Sequence, residues 1–281
     1  MIVDAHTHVF PPDIRDHRDD YLARDGGFRE LYANPKAAIA TADELLASMH
    51  AAGVDRSVIC GFAWSDPDLC RHHNDALLEA ASVSNGRLIP FCTIYPSADG
   101  TRDELKRLAT AGARGLGELR PAQQGYTLID SDEADLLAWA AQAYDLPLLF
   151  HASEPVGHPY AGKAGLPVDQ LWRFIADHPG VTVIAAHWGG GLPFYALMPE
   201  VRDTLADTYF DTAATGFLYS PDVYARTIDL VGAERILFAS DYPLVSQERA
   251  LSDLRDAPFD GAARALIEGE NARGLLRLSD G

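Results

Sequence analysis

Short apolar runs, rich in branched side chains, recur along the chain and alternate with longer stretches of helical periodicity. The runs are Ile2–Ala5, Val54–Phe62, Leu88–Tyr95, Ala113–Leu119, Pro147–His151, Val181–His187, Tyr209–Ala213 and Ile236–Ser240. Near-continuous apolarity, rather than strict alternation, predicts parallel strands buried on both faces. Between them, amphipathic spacing predicts helices at Asp43–Ala52, Leu69–Ser84, Arg102–Ala111, Glu133–Ala143, Val168–Asp177 and Pro221–Val231. Gly53 and Gly112 each follow a predicted helix just before a strand, where a left-handed cap needs a residue without Cβ. Ser131 and the Ser220-Pro221 pair supply helix starts. Eight strands alternating with helices predict an α/β fold, either a closed (β/α)8 TIM barrel or an open doubly wound sheet.

Two connections are long. Pro11–Pro35 follows the first strand, and Glu154–Pro167, rich in glycine and proline, follows the fifth. Both leave carboxyl ends of strands, the face on which barrel enzymes build their sites. They read equally well as substrate-facing loops and as tolerated surface insertions. No internal repeat or compositional break divides residues 1–281, so one domain is expected, ending in a short helix at Asn271–Leu278.

Composition narrows the picture. A length of 281 residues suits a barrel, which typically runs to about 250 residues. A formal net charge of −18 opposes binding to a phosphate backbone, so no nucleic-acid partner is expected. Cys60, Cys70 and Cys92 form no paired framework, and Cys60 and Cys92 read as small core residues. No apolar stretch is long enough to span a membrane. The start, MIVDAHTH, lacks the pattern of a signal peptide, so a cytoplasmic location is expected.

Polar residues collect where the predicted strands end. His6 and His8 close the first as H-T-H, His151 ends the fifth in LPLLFHASEP, and His187 ends the sixth in VTVIAAHWGGG. Asp241 ends the eighth in RILFASDYP. In a parallel barrel all these ends open on one face. Side chains two apart on a strand point the same way, so His6 and His8 can chelate one cation, with His151 and Asp241 completing the set. Histidine nitrogens with a carboxylate suit Zn²⁺, with Mn²⁺ or Fe²⁺ also compatible. Taken singly, each of these residues reads as well as a packed strand end or a turn residue; their convergence carries the metal reading.

His187 is expected to act as electrophile or acid/base, or else as a further ligand. Asp241 doubles as a candidate base for a metal-bound water. Glu118 shares a strand face with Leu116 and Arg120, and it either bridges a second ion or pairs with Arg120 or Arg114. Arg120 is a candidate clamp for a substrate carboxylate or phosphate. Trp64 and Trp188 read as pocket walls or as core. His50, His72, His73 and His178 fall on predicted helices or their ends and are expected to face solvent, while His17 and His158 lie in the two long loops.

With these residues in place, the MIVDAHTHVF opening, FHASEP, AAHWGG and FASDYP resemble the amidohydrolase superfamily. They are most similar to its amidohydrolase-related branch, which includes aminocarboxymuconate semialdehyde decarboxylase. The resemblance implies a (β/α)8 barrel, His6, His8, His151 and Asp241 as metal ligands, His187 as a catalytic residue, zinc as the usual metal and a homodimer. Two-metal members carry a carboxylated lysine or a glutamate on the fourth strand; this chain has Glu118 there, similar to the superfamily's metal-dependent deoxyribonucleases. One or two ions are therefore expected.

The leading expectation is hydrolysis of an amide, lactone or ester of a small molecule by metal-activated water. The alternative is non-oxidative decarboxylation of an aromatic or unsaturated acid; an arginine placed for a carboxylate favours it, and a bridging Glu118 favours hydrolysis. Phosphoester hydrolysis and a non-catalytic metal-bound barrel are weaker readings. A nucleotide-binding sheet lacks its glycine-rich loop after the first strand.

Overall fold

In a computed structural model, which describes residues 1–163 and 165–279, eight strands form one sheet in sequence order. They are β1 (Val3–His8), β2 (Arg56–Cys60), β3 (Leu88–Cys92), β4 (Gly115–Leu119), β5 (Leu148–Phe150), β6 (Val183–Ala185), β7 (Thr208–Asp211) and β8 (Ile236–Leu237). Every neighbouring pair is parallel. The chain beyond β8 returns to β1: Ala5 N–H donates to Phe238 O at 2.8 Å and Asp241 N–H to His6 O at 3.0 Å. The sheet therefore closes as a (β/α)8 TIM barrel rather than staying open.

Each apolar run overlaps one of these strands, and each predicted helix has its counterpart, at Ala42–Ala52, Pro67–Val83, Thr101–Ala111, Asp132–Tyr144, Val168–Asp177 and Asp222–Val231. A further helix, Gln247–Asp256, escaped the sequence reading because only Leu251 and Leu254 mark its buried face within a charged stretch. The closing helix is Asn271–Leu275.

Apolar side chains fill the barrel. Val3 and Ala5 of β1, Val58 and Cys60 of β2, Phe91 of β3, Leu149 of β5, Ile184 of β6 and Leu237 of β8 form one cluster. The glycines of β4 make this packing fit, since a Cβ on Gly115 would lie 2.5 Å from the Phe91 ring. Larger clusters sit between strands and helices.

The long connection after β1 is not an open loop. It folds into helices at Pro12–Asp16, Arg18–Arg24 and Gly26–Tyr32, which bury Ile14 and Phe28. Phe28 stacks on Trp64 with centroids 5.0 Å apart, and Phe10 and Phe62 complete an aromatic cluster beside the barrel mouth. The connection after β5 has little regular structure; Ala152 pairs with Leu166 at its base. No helix among the described residues is long and apolar enough to cross a membrane.

Candidate metal centre and active site

At the carboxyl ends of the strands, His6 and His8 leave β1 on the same face, and their Nε2 atoms lie 3.0 Å apart. Asp241 Oδ1 sits 3.5 Å from His8 Nε2 and 3.9 Å from His6 Nε2. Glu118, from β4, reaches the same point: Oε1 is 3.7 Å from His6 Nε2 and Oε2 is 3.6 Å from His8 Nε2. Among the described residues two overlapping trios have the spacing of a metal site, His6–His8–Asp241 and His6–Glu118–His187.

His151 adjoins this cluster without belonging to either trio. Its Nδ1 is 2.7 Å from Glu118 Oε1, and its Nε2 faces Gly162 O at 3.0 Å and Ser153 Oγ at 3.1 Å. Glu118 makes no pair with Arg114 or Arg120, whose guanidinium groups go instead to the carbonyl oxygens of Leu276 and Gly162. The charge-network reading of Glu118 is corrected accordingly: its neighbours are histidines.

His187 arrives by a sharp turn. Residues 187–191 all have positive φ, from 55° at His187 to 92° at Gly191, so the chain after β6 makes a left-handed turn. Such backbone is strained at His187 and Trp188, while the three glycines adopt it freely. Asp211 at the end of β7 holds the turn, its Oδ1 accepting the His187 N–H at 2.8 Å. The ring then points Nδ1 toward Ala213 O at 3.3 Å and Nε2 toward Glu118 Oε1 at 3.4 Å.

Burial and crowding set the charges. Burial opposes protonation of His6, but Asp211, Glu118 and Asp241 outweigh it and raise its pKa to about 10. Burial, then the charge on His6, push His8 down to about 3, so His8 offers a bare nitrogen. His187 is likewise opposed by burial but raised to about 9, first by its hydrogen bond to Glu118. Burial lifts Asp241 to about 6 against the pull of His6 and His187. Burial also works against the Glu118 carboxylate, yet His151 and His6 hold its pKa well below the usual range.

The donor set fits a divalent cation. Three carboxylates and four imidazoles crowd one largely buried site, and a cation can take the place of the proton that His6 otherwise holds. His6 donates its other nitrogen to Asp211, Nδ1 to Oδ2 at 2.9 Å, which leaves Nε2 facing the cluster. A metal bound here would be held by His6, His8 and Asp241, with Glu118 within reach.

Above the cluster lies a cavity of about 370 Å³. His8, Glu118, His151, His187 and Asp241 line its polar end together with Arg120; Leu31, Ala37, Phe217, Leu218 and Leu244 line the rest. Tyr32 and Tyr160 come from the two long connections, which therefore face the site, as does His158. Trp64 and Trp188 do not, and the reading of both as substrate contacts is corrected. Trp64 is fully buried with its indole N–H on His73 Nδ1, and Trp188 is fully buried against Tyr224 with its N–H on Thr215 Oγ1. His73, expected to face solvent, is also fully buried, stacked on Phe10 with Nε2 donating to Val9 O at 2.7 Å.

Two buried acids beside the donor cluster were missed. Asp211 carried a signal, an acid ending the apolar TYFD run just as Asp241 ends its own. Asp4 shares strand parity with His6 and His8; it accepts from Ser240 Oγ at 2.6 Å and Gln247 Nε2 at 2.8 Å, tying β1 to the chain that carries Asp241.

The amidohydrolase family model matches residues 3–278. Among relatives of curated activity, the gamma-resorcylate decarboxylase of Rhodococcus jostii is 24% identical over 253 residues, covering 75% of this chain and 77% of its own. The crystal structure of 5-carboxyvanillate decarboxylase from Sphingomonas paucimobilis superposes with a TM-score of 0.80 over 99% of both chains, at 18% identity. That of the Novosphingobium aromaticivorans 5-carboxyvanillate decarboxylase, complexed with manganese and 4-hydroxy-3-methoxy-5-nitrobenzoic acid, gives 0.80 over 99% of this chain and 96% of that one, at 17% identity. All three are decarboxylases, which overturns hydrolysis as the leading expectation. With the family's sequence pattern running from β1 through β8 into the closing helix, the chain belongs to the amidohydrolase family.

Proposed function

We propose that this protein is a divalent-metal-dependent, non-oxidative decarboxylase of an aromatic or unsaturated carboxylic acid. The observation that carries the reading is the placement of His187. Its backbone is fixed by Asp211, its Nδ1 faces a carbonyl oxygen, and its Nε2 looks into a largely apolar cavity beside the metal-compatible donors. Loss of CO₂ breaks a carbon–carbon bond and leaves the electron pair on carbon, so the site needs a proton donor rather than an attacking water. His187 Nε2, facing the cavity beside Glu118, is the atom placed to deliver that proton. Leu31, Phe217 and Leu244 give the cavity an apolar wall against which an aromatic or unsaturated skeleton can lie.

His6, His8 and Asp241 are the proposed ligands of one ion, with Glu118 and His151 beside it. The ion, when bound, would supply positive charge that polarises the substrate and stabilises the electron density released on cleavage. Mn²⁺ is favoured by the metal in the Novosphingobium structure, and Zn²⁺ by the nitrogen-rich donor set.

The test is CO₂ release from a panel of hydroxybenzoic and α,β-unsaturated acids by protein loaded with Mn²⁺ or Zn²⁺. Decarboxylation by the wild type, lost in His187→Asn with metal content retained, supports the reading. Turnover of esters, lactones or amides with no CO₂ from any acid overturns it.

A further inference from the structure

The two long connections touch each other at the cavity, and they meet at Gly162. Both backbone polar groups of this residue are taken. Its N–H donates to Glu30 Oε1 at 2.9 Å, and its carbonyl accepts from Arg120 Nη2 at 3.0 Å. Glu30 lies on the helix Gly26–Tyr32, so the first bond joins the connection after β5 to the one after β1. The fit against that helix is close. Gly162 has φ of 88°, and a Cβ there would lie 2.8 Å from Leu31 Cδ2.

Residues 156–163 also hold their own shape. Lys163 Nζ donates to Val156 O at 2.6 Å and to His158 O at 2.8 Å, which closes a small ring of chain. The Ala152–Leu166 pair ties the connection at its base. A segment bound within itself and anchored at its base can swing as one body. Its outer surface is free, with Val156 73% exposed. Its inner surface, Tyr160 to Gly162, lines the cavity, and Gly162 O stands 3.0 Å from His151 Nε2. Arg120 and His151, which it touches, are buried.

We propose that residues 156–163 form a strap closing the β4–β5 side of the site, that Glu30 is the clasp that holds it shut, and that metal and ligands exchange with the donor cluster when the clasp opens. A carboxylate is a strong acceptor, but Glu30 sits at an exposed helix position where water competes for it. Such a bond biases the strap toward closed and still lets it open locally, without unfolding the barrel. Opening releases the Glu30 and Arg120 bonds together, because both converge on Gly162. Glu30 touches no donor of the cluster and acts only through Gly162, which makes it a positioning residue. The gating is independent of which reaction the site performs.

The experiment compares the full-length wild type with Glu30→Ala, Glu30→Gln and Gly162→Ala by two rates. One is tryptic cleavage after Lys163, read by mass spectrometry; the other is loss of Zn²⁺ from loaded protein to excess EDTA. Both are expected to rise roughly tenfold in Glu30→Ala, as loss of one hydrogen bond to a charged group implies. Cleavage at other sites and equilibrium Zn²⁺ affinity should stay unchanged, since opening speeds entry and exit alike. Gly162→Ala, which drives a Cβ into Leu31, should follow Glu30→Ala. Glu30→Gln keeps an acceptor and should stay near the wild type. Wild-type rates in Glu30→Ala overturn the proposal, as does a Glu30→Gln variant as fast as Glu30→Ala. Faster cleavage with unchanged Zn²⁺ loss also overturns it, because the strap would then gate nothing. Cleavage after Lys163 needs no metal, so a protein that takes up no Zn²⁺ fails the metal reading separately, and the cleavage series decides the clasp.

Discussion

His6 Nδ1 lies 2.9 Å from Asp211 Oδ2, and neither side chain reaches solvent. The carboxylate fixes the imidazole's orientation and tautomer and makes its Nε2 a better donor. Asp211→Ala should therefore weaken divalent-metal affinity by about 10- to 100-fold, the usual effect of losing such a partner. Asp211→Asn keeps an acceptor for the His6 N–H and should fall between. Competitive titration with a chromogenic chelator reads both. Affinity unchanged in Asp211→Ala would remove Asp211 from the metal site.

The two donor trios share His6 but differ in Glu118. Elemental analysis of chelator-free protein should find about one equivalent of metal, lost in His6→Ala and retained in Glu118→Gln. Two equivalents in the wild type, one of them lost in Glu118→Gln, would instead assign a second ion to His6, Glu118 and His187.

His73 makes stability depend on pH. Burial pushes its pKa down to about 4, while in the unfolded chain it titrates near 6.5. Between these values the unfolded state binds a proton that the folded state refuses, so stability is fully present above pH 6.5. It falls as the pH drops toward 4 and levels off below. The contribution at stake is about 3 kcal/mol. Urea denaturation of metal-free protein at pH 7 and pH 4.5 should show a larger loss for the wild type than for His73→Gln. Parallel losses would show that His73 is not the titrating group.

Gly190 has φ of 59°, and a Cβ there would lie 2.7 Å from Ser153 O, just past His151. Gly190→Ala combines a left-handed residue with a backbone clash and should destabilise the fold by roughly 2 to 4 kcal/mol. Because the same turn aims His187, activity of the folded fraction should drop as well. Thermal melts and activity per folded molecule test the two effects separately.

The chain's periodicity determined eight parallel strands alternating with helices, because strands buried on both faces leave a pattern that local composition alone can carry; their closure into a barrel rests on the tertiary contacts between β1 and the chain after β8. It also determined that His6, His8, His151, His187 and Asp241 meet, since each ends a strand and all parallel strands end on one face. What tertiary structure decided is which atoms face one another. Glu118 could bridge or pair by sequence; the path of β4 turns it toward four histidines and leaves Arg120 alone in the cavity wall. Sequence alone left Trp64 and Trp188 between pocket wall and core and put His73 at the surface, because their partners, Phe28, Tyr224 and Phe10, lie on other elements. Spacing along one strand fixes the side on which a residue points, but the distance to a side chain on another strand depends on how the barrel closes and how its loops fold back. Only the assembled structure sets those distances.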